Sequence, residues 1–324
     1  MSVLAKCVKT RQLIREHIPG ANILRRIYLF FDVAWASVLY GGAIDDYFHY
    51  RFYLRKHADR KNFIVWRKRR RIINLCNAIE DRDIFNLKPR FYKVFSSYLG
   101  REWLDLTQAT LEEFAAFVSL HPRFFVKPVQ GAFGIGARIQ TISGQDDLEE
   151  VYRSLQQERV VVEELVEQCA ELAEFNPPTV NTLRLVTLLL PDGTVKVMTA
   201  NLRCGRGDRC ADNFHHQGLA ATIDVATGTV ITQGMDRTCQ QYGCHPVTGK
   251  LFAGFTVPLW DKVLATVTAA AQVVPTIRYV GWDIAIGKDG KIIIIEGNCA
   301  AGQDVTQMPD QVGKWPLYKQ ELGL

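Results

Sequence analysis

The sequence lacks the marks of several large protein classes. Its eight cysteines (Cys7, Cys76, Cys169, Cys204, Cys210, Cys239, Cys244 and Cys299) include no Cys-x-x-Cys pair. Cys239 and Cys244-His245 begin a zinc-like pattern whose second ligand pair is missing. No cleavable signal pattern leads the chain, so the cysteines are expected to be reduced thiols of a cytoplasmic protein. Internal repeats and low-complexity linkers are absent, which excludes solenoids and tethered arrays. No apolar run makes a convincing membrane span. The best, Ile27 to Ile44, is short and carries Asp32 in its middle. It reads as a buried amphipathic helix; the alternative is a membrane-surface contact helped by Arg25 and Arg26.

What is present is an ordinary globular composition. The 324 residues are 48% hydrophobic and 23% charged, enough for one large domain or two ordinary ones. Charge is uneven. Residues 1–100 hold 20 Lys+Arg against 8 Asp+Glu, a net of +12, and the remainder holds 19 against 26, a net of −7. Such asymmetry points to an anionic partner: nucleic acid, membrane headgroups or a phosphorylated substrate. Residues 1–86 read as mainly helical, with aromatics (Tyr47, Tyr50, Phe52) interleaved among Arg51, Arg55 and the run Arg67 to Arg71. No DNA- or RNA-binding motif accompanies them, so a solvated basic face is favoured over a nucleic-acid site.

The most informative stretch is Gly281 to Asn298. Asp289-Gly290 is a strong signal for a two-residue hairpin loop. That loop places Asp283 opposite Glu296, with Asn298 on the same face. Two opposed carboxylates repel unless a cation lies between them. Two carboxylates and an amide oxygen form a hard set suited to Mg²⁺. Asp192-Gly193 predicts a second hairpin, in which Arg184 faces Asn201 and Thr182 faces Arg203. Its polar face is either solvated or a clamp for a phosphoryl group.

Further upstream, Phe124 to Lys127 reads as a strand followed by the glycine-rich loop Gly131-Ala132-Phe133-Gly134-Ile135-Gly136 and a second strand. A Rossmann or Walker loop would open a helix instead. Backbone N–H groups of such a loop can still cradle a triphosphate. Val160 to Val166 is a strand with an acidic exit at Glu163-Glu164, followed by Leu165 and Val166. Thr110 with Glu113 is a capping box that opens a helix. The polar loop Asp208 to Gly218 and the segment Gly302 to Asp304 are candidates for substrate choice.

Taken in order, Lys88, Lys127 with its glycine loop, Glu163-Glu164, Arg184, Asp283 and Glu296-x-Asn298 resemble the ATP-grasp superfamily. Asn176 to Arg184, Asp212-Asn213-Phe214-His215, Gly281-Trp282-Asp283, Glu296-Gly297-Asn298 and the helical prelude with Asp46-Tyr47 resemble its sugar-transfer-associated members. The resemblance implies an α+β ATP-grasp fold, two lobes clamping ATP after a helical region. Residues 1–86 would be that region, 87–165 the smaller lobe and 166–324 the larger. Lys88 and Lys127 would hold phosphates and the adenine side, and Gly131, Gly134 and Gly136 would close over the phosphates. Glu163, Glu164, Leu165 and Val166 would form the adenine hinge, with Glu171 or Gln168 at the ribose. Arg184, and with it Arg203 beside Asn201, would meet the γ-phosphate. Asp283, Glu296 and Asn298 would hold one or two Mg²⁺ ions.

The implied reaction is ATP-dependent carboxylate–amine ligation through an acyl phosphate, releasing ADP. The resemblance points to a small-molecule or glycan acceptor bearing a carboxylate, and an amine co-substrate, in polysaccharide or glycoconjugate assembly. The nearest rival is a kinase acting on a hydroxyl. A rival of another class is a non-catalytic anion-binding module, which predicts steeply salt-sensitive binding and no ATP turnover.

Overall fold

The computed structural model describes residues 2–131, 135–207 and 218–324. Four short strands form an antiparallel sheet in the order β1-β4-β2-β3: β1 (Trp103–Asp105), β2 (Arg123–Pro128), β3 (Arg138–Thr141) and β4 (Val160–Glu164). Period-two alternation decides its faces. Phe124, Val126, Val160 and Val162 pack on Phe114, Phe117 and Leu155 of the helices Leu111–Leu120 and Leu148–Glu158. Lys127 and Glu163 therefore face the other way. The first of those helices opens with the expected capping box. Thr110 Oγ1 accepts from Glu113 N at 3.2 Å, and Glu113 Oε2 accepts from Thr110 N at 2.8 Å.

Seven strands form the second sheet, in the order β11-β10-β5-β6-β7-β8-β9. They are β5 (Thr182–Leu189), β6 (Val195–Cys204), β7 (Leu219–Ile223), β8 (Gly234–Met235), β9 (Gln241–Tyr242), β10 (Tyr279–Ile286) and β11 (Ile292–Asn298). One face, with Leu183, Leu185, Ala200, Leu202, Trp282 and Ile284, packs on the helix Trp260–Ala271. The other face is divided. Val186, Leu188, Met198 and Tyr279 pack on Ile72, Ile73 and Cys76 of the helix Trp66–Cys76 and on Tyr318. Thr182, Arg184, Asn201, Arg203 and Asp283 occupy the polar remainder.

Residues 1–86 share their core with this sheet. Tyr47, Phe48, Tyr50, Phe52 and Phe63 cluster with Ala220, Met235, Val305 and Met308. The aromatics interleaved with basic residues are thus core, while many of the cations point outward. The helix Ile23–Tyr40 corrects one expectation. It is buried on one side only, through Leu29, Val33, Ala36 and Tyr40. Its segment is apolar almost all round, and the body offers a partner to one stripe.

Both hairpins depart from the two-residue loop. Gly193 N donates to Leu190 O at 3.0 Å, and Leu190 N to Thr194 O at 2.8 Å. Likewise, Gly290 N donates to Gly287 O at 2.9 Å, and Gly287 N to Lys291 O at 2.9 Å. Each loop has three residues, with glycine in the left-handed region (φ 86° at Gly193, 75° at Gly290). A one-residue error in loop length would turn every side chain over. It does not, because each hairpin also contains a bulge. Asp283 pairs with Glu296 while Ile284 pairs with Ile294, which leaves Ile295 extra. Val186 pairs with Thr199 while Thr187 pairs with Val197, which leaves Met198 extra.

Candidate active site

The pairings build a row of side chains across five strands. Thr222 lies beside Asn201, Asn201 beside Arg184, Arg184 beside Asp283, and Asp283 beside Glu296. Arg184 grips Asp283 with two bonds: Nε donates to Oδ1, and Nη2 donates to Oδ2 at 2.8 Å. Arg203 Nη1 adds a third contact, 3.0 Å from Oδ2. Burial alone would raise the Asp283 carboxyl, but Arg184 and Arg203 hold it well below the usual range. The cations beside Asp283 are therefore guanidinium groups on the same sheet face. At Glu296, burial and the Asp283 charge push the carboxyl upward and outweigh the lowering by Asn298 and Arg184. Asn298 Nδ2 donates to Glu296 Oε1 at 3.0 Å, which leaves the Asn298 carbonyl oxygen to face a further ligand. Among the described residues no three His, Cys, Asp or Glu gather as a metal cluster. The set is instead two carboxylates and an amide, all oxygen, with a repelled carboxylate at its centre. That chemistry fits a hard divalent cation.

The opposing wall carries the lysines. Lys127 Nζ lies 2.9 Å from Glu163 Oε2, and Arg101 Nε donates to the same oxygen at 2.7 Å. Tyr92 OH donates to the other carboxylate oxygen. Burial would raise Glu163, but Arg101, Lys127 and Tyr92 bring it down to about 2. The Glu163 carboxylate thus anchors Lys127 at the cavity lining. Arg101 does more. Its Nη1 donates to Ile294 O at 2.9 Å and its Nη2 to Ile295 O at 3.2 Å. One buried guanidinium therefore joins the end of β4 to the bulge beside Glu296. The sequence offered no signal for it, since Arg101 belongs to no motif. Lys88, the first residue of the helix Lys88–Val94, donates to Gly131 O at 3.3 Å. Burial lowers its ammonium, with the Lys127 charge acting in the same direction and Glu296 and Glu163 opposing.

Between the walls lies a cavity of about 1030 Å³. Lys88, Lys127, Gly131, Glu164, Leu165 and Val166 line it, and so do Arg184, Arg203, Asp283, Glu296 and Asn298. Three expected residues are placed differently. Asn201, within the row, is fully buried and outside the cavity lining, with Nδ2 3.4 Å from Thr222 Oγ1. Glu171 is exposed outside the cavity, while Gln168 lines it. Gly136 has φ 76° and packs on Pro128, outside the cavity lining. Gly134 and the loop residues 208–217, including Asp212, Asn213, His215 and His216, lie outside the described residues. The far end of the cavity is walled by Asp46, His49, Gln303 and Asp304. Burial lowers the His49 imidazole to about 4, although Asp304 and Asp45 oppose this, so the ring is neutral at pH 7. His49 was missed because its neighbours in sequence are aromatic core.

The profile of the family described as sugar-transfer associated ATP-grasp matches residues 53–320. The chain belongs to this family. Its two antiparallel sheets are thus the two lobes of an ATP-grasp fold, with the cavity between them. No curated protein sequence matches the chain. Solved structures similar to this ATP-grasp chain include the ATP-grasp ligase PsnB complexed with minimal precursor. Identity is 17%, covering 76% of this chain and 63% of that one, with a TM-score of 0.47. Another is the ADP complex of purK, N5-carboxyaminoimidazole ribonucleotide synthetase, at 11% identity over 68% and 46% of the two chains and TM-score 0.43. A third is the N5-carboxyaminoimidazole synthetase from Staphylococcus aureus complexed with ADP, at 10% identity over 68% and 46% and TM-score 0.43. The matched region thus spans less than two thirds of PsnB and under half of the synthetases.

Proposed function

We propose that this ATP-grasp protein is a ligase that joins a carboxylate to an amine at the expense of ATP. The observation that carries the reading is the single face of Arg184, Arg203, Asp283, Glu296 and Asn298, set across the cavity from Lys88 and Lys127. Leu165 and Val166, irregular backbone after β4, would meet the adenine edge. Lys88 and Lys127 would neutralise phosphate oxygens, and Gly131 brings its backbone to the same place. Glu296, Asn298 and Asp283 would hold one or two Mg²⁺ ions. Bound there, Mg²⁺ would neutralise charge on the phosphates. Arg184 and Arg203 would face the γ-phosphoryl group.

The acceptor carboxylate oxygen attacks the γ-phosphorus as the bond to ADP breaks, giving an acyl phosphate. The amine then attacks the acyl carbon; phosphate leaves, and the nitrogen gives up a proton. Phosphoryl transfer needs positioning and charge neutralisation more than covalent help. The cavity volume of about 1030 Å³ leaves room for an acceptor beside the nucleotide. The family's association with sugar transfer supports a glycan or glycoconjugate acceptor, modified with an amino acid or similar amine.

The test is incubation with ATP, Mg²⁺ and a panel of amino acids and nucleotide sugars, followed by product mass. Ligation adds the acid to the amine with loss of water. A product heavier by one phosphoryl group would assign a kinase instead, and metal-independent binding without turnover would assign a non-catalytic module.

A further inference from the structure

The helix Ile23–Tyr40 presents an apolar stripe to solvent. Leu24, Ile27, Phe31, Trp35 and Val38 are 74%, 50%, 67%, 62% and 72% exposed. Their spacing (i, i+3, i+7, i+11, i+14) puts them on one side, along roughly 21 Å of helix at 1.5 Å per residue. The helix is not free to roll and hide them. Its other side is fixed by Leu29, Val33, Ala36 and Tyr40. Asp32 is also held, by Arg60 at 2.8 and 2.7 Å and by Tyr47 OH at 2.6 Å. The preceding helix, Val3–His17, adds Val3, Leu4 and Val8 at 78%, 75% and 59% exposure. The stripe along Ile23–Tyr40, one apolar side held to solvent, marks an interaction surface.

The charges around the stripe name the partner. Lys6, Arg11, Arg15, Arg25, Arg67 and Arg70 are exposed. The Arg25 guanidinium lies 5.6 Å from the ring of Tyr28, and Arg67 Nη2 reaches Val38 O at 3.5 Å, at the end of the stripe. The net charge of the first 100 residues is +12. A second copy docked here would bring two such basic regions together, which like-charge repulsion opposes. Among the described residues no helix is long and apolar enough to cross a membrane. An apolar stripe rimmed by arginine and lysine, with tyrosine and tryptophan on it, suits the plane of a headgroup layer.

We propose that this face docks the protein on the surface of an anionic membrane. The helix Ile23–Tyr40 lies flat, with the stripe at the headgroup–acyl boundary and the basic residues on lipid phosphates. Asp46 and His49, which wall the far end of the cavity, follow this helix closely, so docking brings the cavity near the membrane surface.

The test is co-flotation of the full chain with vesicles of phosphatidylcholine alone or mixed equally with phosphatidylglycerol. The expected result is binding to the mixed vesicles only, weakening as salt rises. Phe31→Asp with Trp35→Asp should weaken it at least about tenfold, and Arg67→Ala and Arg70→Ala roughly fivefold each. ATP turnover and thermal midpoint should be unchanged, since all four side chains lie outside the cavity. The milder Phe31→Ser serves if the double variant does not fold. Failure to bind the mixed vesicles, or equal binding to neutral ones, would overturn the proposal. So would a concentration-dependent dimer that the stripe variants abolish, which would give the face to a second copy.

Discussion

Asp283 and Glu296 face each other, yet their environments push them apart. Asp283 is ionised between two arginines, and Glu296 is raised by burial and by Asp283 itself. Substitutions should separate accordingly. Asp283→Ala removes the buried carboxylate that the Arg184 guanidinium grips with two bonds and should cost about 3–5 kcal/mol of stability. Glu296→Gln removes a repelled charge, so its melting temperature should hold or rise. ATP turnover by Glu296→Gln should nevertheless fall by about 10²–10³ if Glu296 holds charge at the phosphates. Melting curves and phosphate release on the same preparations check both statements. Glu163→Gln breaks the Arg101–Glu163–Lys127 group and should cost about 3–5 kcal/mol, read from urea unfolding. Acid sensitivity follows from the same group. The folded carboxyl near 2 lies below its ordinary value of 4.5. Its stabilisation is complete above the ordinary value and is lost as pH falls from there toward 2. His49 acts in a neighbouring window. Its folded value near 4 lies below 6.5, so stability falls as pH drops from 6.5 toward 4. His49→Gln should flatten that part of a midpoint-versus-pH curve.

At the scale of the element, the two hairpins show what the sequence carries and what it hides. The faces of Arg184, Asn201, Asp283 and Glu296 were legible, because loop and bulge each shift the register by one residue in opposite senses. The loop was readable in principle. In Leu190-Pro191-Asp192-Gly193, proline stands second and glycine fourth, as a type I turn prefers. The Asp192 and Asp289 carboxylates accept from Thr194 N at 2.9 Å and Lys291 N at 3.1 Å, which favours the longer loop. The bulges have no such signature. Ile295 sits in a run of four isoleucines, any of which is chemically equivalent as the extra residue. Gly193→Ala meets no atom within 4 Å, so its cost should be the left-handed φ alone, about 1–2 kcal/mol in urea unfolding. Deleting Ile295 should leave Asp283 opposite Glu296 but remove one of the two carbonyls that accept from Arg101. Turnover should then fall by tenfold or more while the circular dichroism spectrum stays unchanged.

At the scale of the whole molecule, the two lobes were expected only through the family resemblance, and the structure builds each sheet from a run of consecutive strands. What was not legible is how the lobes meet. Arg101 pairs with Glu163 across 62 residues and reaches Ile294 across 193, and no local pattern foretells either contact. The exposed stripe of Ile23–Tyr40 was likewise hidden, since an apolar segment does not reveal how much of it finds a partner. The same limit applied to Asn201, whose face was read correctly but whose depth was not. The cavity between the lobes joins Lys88 from a helix and Lys127 from one sheet to arginines, carboxylates and an amide from the other. The most direct measurement of its role is the nucleotide product formed from ATP and Mg²⁺ with a panel of carboxylate and amine acceptors. The expected result is ADP and phosphate, dependent on the acceptors and nearly abolished in Glu296→Gln. AMP as the product, or full turnover in that variant, would contradict it.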